Sequence, residues 1–184
     1  VLCSLLLFLS ISCGLQGRNA NYARDSKRIW LDSKEIHHGE YVWKMKKAGD
    51  VISSAEKVST LGYDTSDWLS AIVPGTVLNS LVYNKEYPEP YYGVNNKLES
   101  GKIPDISKVG REFYTYWFRT EFDVPESFAG KTIWLQPDGV NYRAEIWVNG
   151  NLLSTLNGMF ISDYINVTDF VKVGRKNILA VKVY

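Results

Sequence analysis

Asn149-Gly150 lies between two runs of strand character, Arg143-Ala144-Glu145-Ile146-Trp147-Val148 and Asn151-Leu152-Leu153-Ser154-Thr155. An Asn-Gly pair in that setting is the strongest short-range hairpin signal in a sequence. A two-residue type I′ turn needs positive φ at both central positions, and these residues tolerate it best. Strand signals recur on both sides of this hairpin. Residues 113–124 predict a long strand with Tyr114, Tyr116, Phe118 and Phe122 on one face. Its other face carries Phe113, Thr115, Trp117, Arg119 and Glu121, which suits a strand covered on one side and half covered on the other. Further strands are expected at 132–136, 161–167 and 176–184, the last with Leu179, Val181 and Val183 turned inward. An opening strand alternates Tyr41, Trp43 and Met45 with Val42, Lys44 and Lys46. One short helix is expected, capped by Thr76 and running to about Asn84, with Val77, Leu78, Leu81 and Val82 on one side. Short strands at this spacing predict an all-β fold, an antiparallel jelly-roll β-sandwich, with a barrel as the alternative.

The first residues differ in kind. VLCSLLLFLSISC, residues 1–13, is an apolar run too short to span a membrane and ends in small residues, the pattern of a secretory signal. Ser10-Ile11-Ser12-Cys13 resembles a bacterial lipobox, in which Cys13 would be lipidated; a plain signal cleaved nearby is the alternative. Both cysteines fall in this leader, so the remainder has none for a disulfide. Residues 14–29 are polar and aperiodic, as in a tether, and 30–184 form the β domain. Export is the expectation, to a bacterial periplasm or an outer-membrane anchor, with membrane contact only through the lipid. The start lacks a charged n-region and the last strand reaches Tyr184 with no closing turn, so a piece of a longer chain is expected. A net charge of +1 supplies no field to draw the chain to nucleic acid.

Residues able to do chemistry are few. His37 and His38 are adjacent in a loop, where neighbouring extended side chains point apart, so no shared metal is expected. Glu86, Glu89, Asp105, Glu112 and Glu145 could supply a carboxylate pair for glycoside hydrolysis, but nothing in the sequence pairs any two. The better candidate is the loop Pro88-Glu89-Pro90-Tyr91-Tyr92-Gly93-Val94-Asn95. A tyrosine ring offers an apolar face to a pyranose and a hydroxyl to its substituents, and Asn95 and Asn96 add amides. Equally, these tyrosines could plug one end of the sandwich.

Seven segments in order carry a resemblance. They are Val73-Pro74-Gly75-Thr76-Val77, the Pro88 to Asn95 loop, Tyr114-Thr115-Tyr116-Trp117-Phe118, Val140 to Gly150, and Gly158-Met159-Phe160 with Asn166-Val167-Thr168-Asp169 and Asn177-Ile178-Leu179-Ala180-Val181. Together they resemble the N-terminal sugar-binding domain of glycoside hydrolase family 2, a galactose-binding-domain-like jelly roll. The Pro-Glu-Pro-Tyr-Tyr-Gly loop is most similar to the branch of exo-β-glucosaminidases and mannosylglycoprotein endo-β-mannosidases. The resemblance implies partners in the same chain, an immunoglobulin-like domain and a barrel bearing two catalytic glutamates of a retaining mechanism. It implies no cofactor, no metal and no catalytic residue in this segment, which alone would be inactive. It places Tyr91, Tyr92, Asn95 and Arg111 at the edge of the barrel's pocket, against an oligosaccharide substrate. The rival readings are a free-standing carbohydrate-binding module and a purely structural sandwich.

Overall fold

A computed structural model describes residues 8–14, 27–159 and 161–184. Among these residues two antiparallel sheets face one another. One holds β1 (Phe8–Gly14), β2 (Lys27–Trp30), β6 (Thr132–Gly139) and β9 (Ile165–Asn166), in the order β2-β1-β6-β9. The other holds β3 (Trp43–Lys47), β4 (Leu69–Ser70), β5 (Tyr116–Asp123), β7 (Arg143–Val148), β8 (Asn151–Asn157) and β10 (Lys176–Val183), in the order β4-β3-β5-β10-β7-β8. This is the expected sandwich, not a closed barrel.

The core between the sheets is built from the alternation of each strand. Trp43 and Met45 of β3, Phe118 and Phe122 of β5, Ile146 of β7 and Leu179 and Val181 of β10 meet Ile133 and Leu135 of β6. The outer face of the larger sheet carries a second cluster, in which Trp117, Trp147 and Ala180 pack against Val58 and Trp68. Residues 48–68, with the one-turn helix α1 (Ala55–Val58), form this cover. Arg119 ties the cover down, its Nε donating to the Val58 carbonyl and an Nη to that of Thr60, both at 3.0 Å. Both faces of β5 are therefore buried, further than the half-covered outer face read from its residues.

Several boundaries move. β5 begins at Tyr116, because residues 111–114 form a 3₁₀ turn. The strand expected at 161–167 shrinks to β9, and β6 and β8 run longer than expected. Thr76 caps α2 (Val77–Tyr83), its hydroxyl accepting from the Asn79 amide at 2.8 Å. Two further one-turn helices, α1 and α3 (Ile106–Val109), add to the one helix expected. Asn149 and Gly150 both take positive φ, 48° and 89°, as the type I′ reading requires.

All of β1 but Gly14 falls within the segment read as a leader, and the strand lies between β2 and β6, with Ile11 in the core. The side chain of Cys13 is not among those described, and residues 1–7 and 15–26, holding the rest of the leader and most of the tether, lie outside the described residues.

Candidate functional site

The strand ends sort the molecule into two poles. At one, Asn149-Gly150 joins β7 to β8, and Lys176 of β10 stands opposite Asp123 of β5. At the other, Tyr116 stands opposite Lys47 and Val183, Val183 stands opposite Ala144, and the Tyr184 amide donates to the Arg143 carbonyl. The candidate loop belongs to this second pole. It leaves α2 at Asn84, whose side chain exchanges hydrogen bonds with the Ser70 backbone of β4 (3.3 and 2.8 Å). It returns at Thr115, whose carbonyl accepts from the Ala48 amide. Tyr87 and Tyr114 pack its two arms against the core, and the Tyr114 hydroxyl donates to the Pro104 carbonyl at 3.4 Å.

Between those arms the chain winds in successive turns. Tyr92 N donates to Glu89 O, Asn95 N to Tyr92 O, and Lys97 N to Val94 O, at 3.0–3.2 Å. Pro88 and Pro90 have no amide to donate, and Gly93 takes φ 58°, which a glycine adopts without strain. Tyr91 and Tyr92 stand 77% and 76% exposed. They do not plug the sandwich. Asn95 behaves oppositely: it is 6% exposed, its Nδ2 donating to the Glu89 carbonyl and its Oδ1 accepting from the Lys102 ammonium, both at 2.9 Å. Asn96 is exposed, and Arg111 opens the 3₁₀ turn before β5, its side chain outside those described.

Other features of the molecule add little to a binding site. A cleft beside the loop is lined by Lys47, Gly49, Phe113, Thr115, Lys182 and Tyr184. Its rings are already occupied by cations: Lys47 over Phe113 at 4.6 Å, and Arg143 and Lys182 over Tyr184 at 4.6 and 5.0 Å. The Tyr184 hydroxyl donates to Glu145 at 2.6 Å, so this carboxylate is partnered by a phenol. Burial first, and then that carboxylate, push the Tyr184 phenol up to about 12. Burial with Tyr87, Asp50, Tyr114 and Glu86 around it does the same to Tyr116. The rings of His37 and His38 lie 4.2 Å apart rather than pointing away from each other, because His38 adopts φ 95°. Among the described residues no group of three His, Cys, Asp or Glu could hold a metal.

Sequence reading missed Ser100 and Lys102, whose partner Asn95 is reached only once the turns have formed. It also missed exposed Tyr142, Met159 and Tyr164, on the two connections at the same pole, where Gly158 N donates to Tyr142 O. What remains is a pair of uncovered, adjacent tyrosine rings on a hydrogen-bonded loop. Such a surface can stack and hydrogen-bond a ligand; it cannot transfer a proton between paired carboxylates.

The family model described as "Glycosyl hydrolase 2 galactose-binding domain-like" matches residues 43–184. A mannosylglycoprotein endo-beta-mannosidase from Lilium longiflorum is 40% identical over 120 residues, 65% of this chain and 12% of the relative. An exo-beta-D-glucosaminidase from Amycolatopsis orientalis is 29% identical over 136 residues, 72% of this chain and again 12% of the relative. The crystal structure of the Amycolatopsis orientalis exo-chitosanase superposes with a TM-score of 0.64 at 28% identity, over 78% of this chain and 16% of that one. The chain thus spans a small fraction of the proteins it is similar to.

Proposed function

The chain belongs to the glycosyl hydrolase 2 galactose-binding domain-like family, and from that premise we propose that it is the N-terminal accessory sandwich of a retaining β-glycosidase. The bond cleaved is of β-mannoside or β-glucosaminide type, the two activities in the names of the relatives above. The chemistry, two carboxylates acting through a glycosyl-enzyme intermediate, belongs to a barrel domain of the same enzyme. This sandwich supports the barrel and lends the Tyr91-Tyr92 loop to one wall of its pocket. The observation that carries the reading is the exposure of both rings on a loop that the buried Asn95 side chain ties together from within. Tyr184 lies at the same pole, so a chain continuing from it would leave beside that loop.

In the enzyme that contains this sandwich, Tyr91→Ala/Tyr92→Ala should lower kcat/KM for a β-mannoside or β-glucosaminide by about tenfold or more, through KM. The 184-residue chain alone should hydrolyse neither and bind oligosaccharide only weakly by calorimetry. Tight, tyrosine-dependent binding by the chain alone would favour a free-standing carbohydrate-binding module. An unchanged kcat/KM would leave a purely structural domain.

We also propose export through residues 1–13. A leader cleaved at Cys13 removes most of β1, so the mass of the mature N terminus in an exporting host decides whether Phe8–Gly14 is retained as a strand.

A further inference from the structure

Every polar group of Asn95 has a partner inside its own loop. Its amide donates to Tyr92 O at 3.2 Å, and its carbonyl accepts from the Ser100 hydroxyl at 3.1 Å. Nδ2 donates to Glu89 O and Oδ1 accepts from Lys102 Nζ, both at 2.9 Å. The Glu89 carbonyl therefore takes two donors, Tyr92 N and Asn95 Nδ2, which close the chain on either side of the ring pair. The Glu89 side chain completes the ring of contacts, Oε1 accepting from Tyr91 N at 3.3 Å.

We propose that Asn95 is the positioning residue of the Tyr91-Tyr92 platform and does not itself touch substrate. The proposal rests on reading those rings as the sugar-contacting edge. Its physical basis is the cost of order. Holding one residue's backbone in a single conformation costs conformational entropy. A loop that meets this cost on folding does not meet it again when a ligand arrives. Apart from Asn95, the two exposed rings are held by the loop's own backbone turns and the Glu89 side chain, none of which reaches across to the segment at Lys102. Asn95 supplies that link because an amide can donate and accept at once. Nδ2 anchors the segment before the rings and Oδ1 the segment after them, through Lys102. Aspartate could serve the lysine and not the carbonyl. Alanine could serve neither.

Hydrogen exchange read by mass spectrometry on the 184-residue chain tests the first half. Asn95→Ala and Asn95→Asp should each raise exchange at residues 89–102 by roughly tenfold, with β5 and β10 still protected. Unchanged exchange in the loop, or an Asn95→Asp variant as protected as wild type, would overturn the proposal. If Asn95→Ala unfolds the whole sandwich, Lys102→Met carries the test, because it loosens the clamp from its exposed side. Flat exchange there counts equally against the idea.

Kinetics in the enzyme that contains the domain test the second half. Asn95→Ala should raise KM several-fold with kcat held, and should add nothing in a Tyr91→Ala/Tyr92→Ala background. An Asn95 effect that persists at full size without the rings refutes positioning. Ring substitutions that leave kcat/KM flat refute instead the functional reading beneath it, while the exchange result still reports on the clamp.

Discussion

Asn177 is fully buried, and one amide group closes two turns. Its Nδ2 donates to the Lys172 and Arg175 carbonyls at 2.9 and 2.8 Å, and its Oδ1 accepts from Lys172 N and Asn149 Nδ2 at 2.7 and 2.8 Å. Asn149 passes the connection on, accepting from Ile178 N at 2.9 Å and donating to Phe170 O. The hairpin residue recognised by its turn chemistry is thus also a strut between β10 and the 169–175 turn. Asn177→Ala strands several buried groups and should cost about 3 kcal/mol, seen as a lower urea midpoint at unchanged m. Arg119 works the same way with a charge. Burial lowers its pKa, yet a guanidinium stays protonated, so Arg119→Met should leave two carbonyls of the outer cover without their donors.

At the scale of elements, α2 sets where the candidate loop starts. Pro74-Gly75 turns the chain, and a Cβ on Gly75 would come within 2.6 Å of the Ile72 carbonyl oxygen, so only glycine fits there. The Thr76 cap then fixes the first turn, and Val77 and Leu81 seat the helix on the core. Thr76→Ala should cost about 1 kcal/mol by chemical denaturation. The cover over the larger sheet depends on Trp68, buried in the outer cluster and edge-on to Tyr63 at 5.9 Å. Trp68→Ala should cost about 3 kcal/mol and open residues 48–68 to protease before the strands. The uncharged edge strand β8 carries a register shift between Ile146 and Trp147 of its neighbour, a bulge of the kind that blunts edge-to-edge pairing.

At the scale of the molecule, the two poles have different chemistry. The aromatic pole holds Tyr116 and Tyr184, both with pKa values of about 12 against an unfolded value near 10. A raised phenol stabilises the fold fully below the unfolded pKa, and that contribution disappears as pH climbs through the folded one. The urea midpoint should therefore fall between about pH 10 and pH 12, and Tyr116→Phe should make that alkaline fall shallower than in wild type. A loss of equal size in Tyr116→Phe would assign it elsewhere, to lysines such as Lys46, whose pair with Asp67 also ends at high pH.

The sequence alone determined the strand alternation, the Asn149-Gly150 turn, the Thr76 cap and the ordered segments of the family. Each is a local property: a side-chain period, a φ requirement or a capping oxygen is settled within a few residues. It also singled out Tyr91 and Tyr92, because prolines and a glycine around two rings mark a shaped loop. The tertiary structure alone decided that those rings face outward and that Asn95 faces inward. It also decided that Trp117 and Arg119 lie under a cover formed by residues 48–68, far earlier in the chain, and that the loop and Tyr184 share a pole. Exposure depends on what distant segments pack against a residue, and no local pattern encodes the identity of that neighbour.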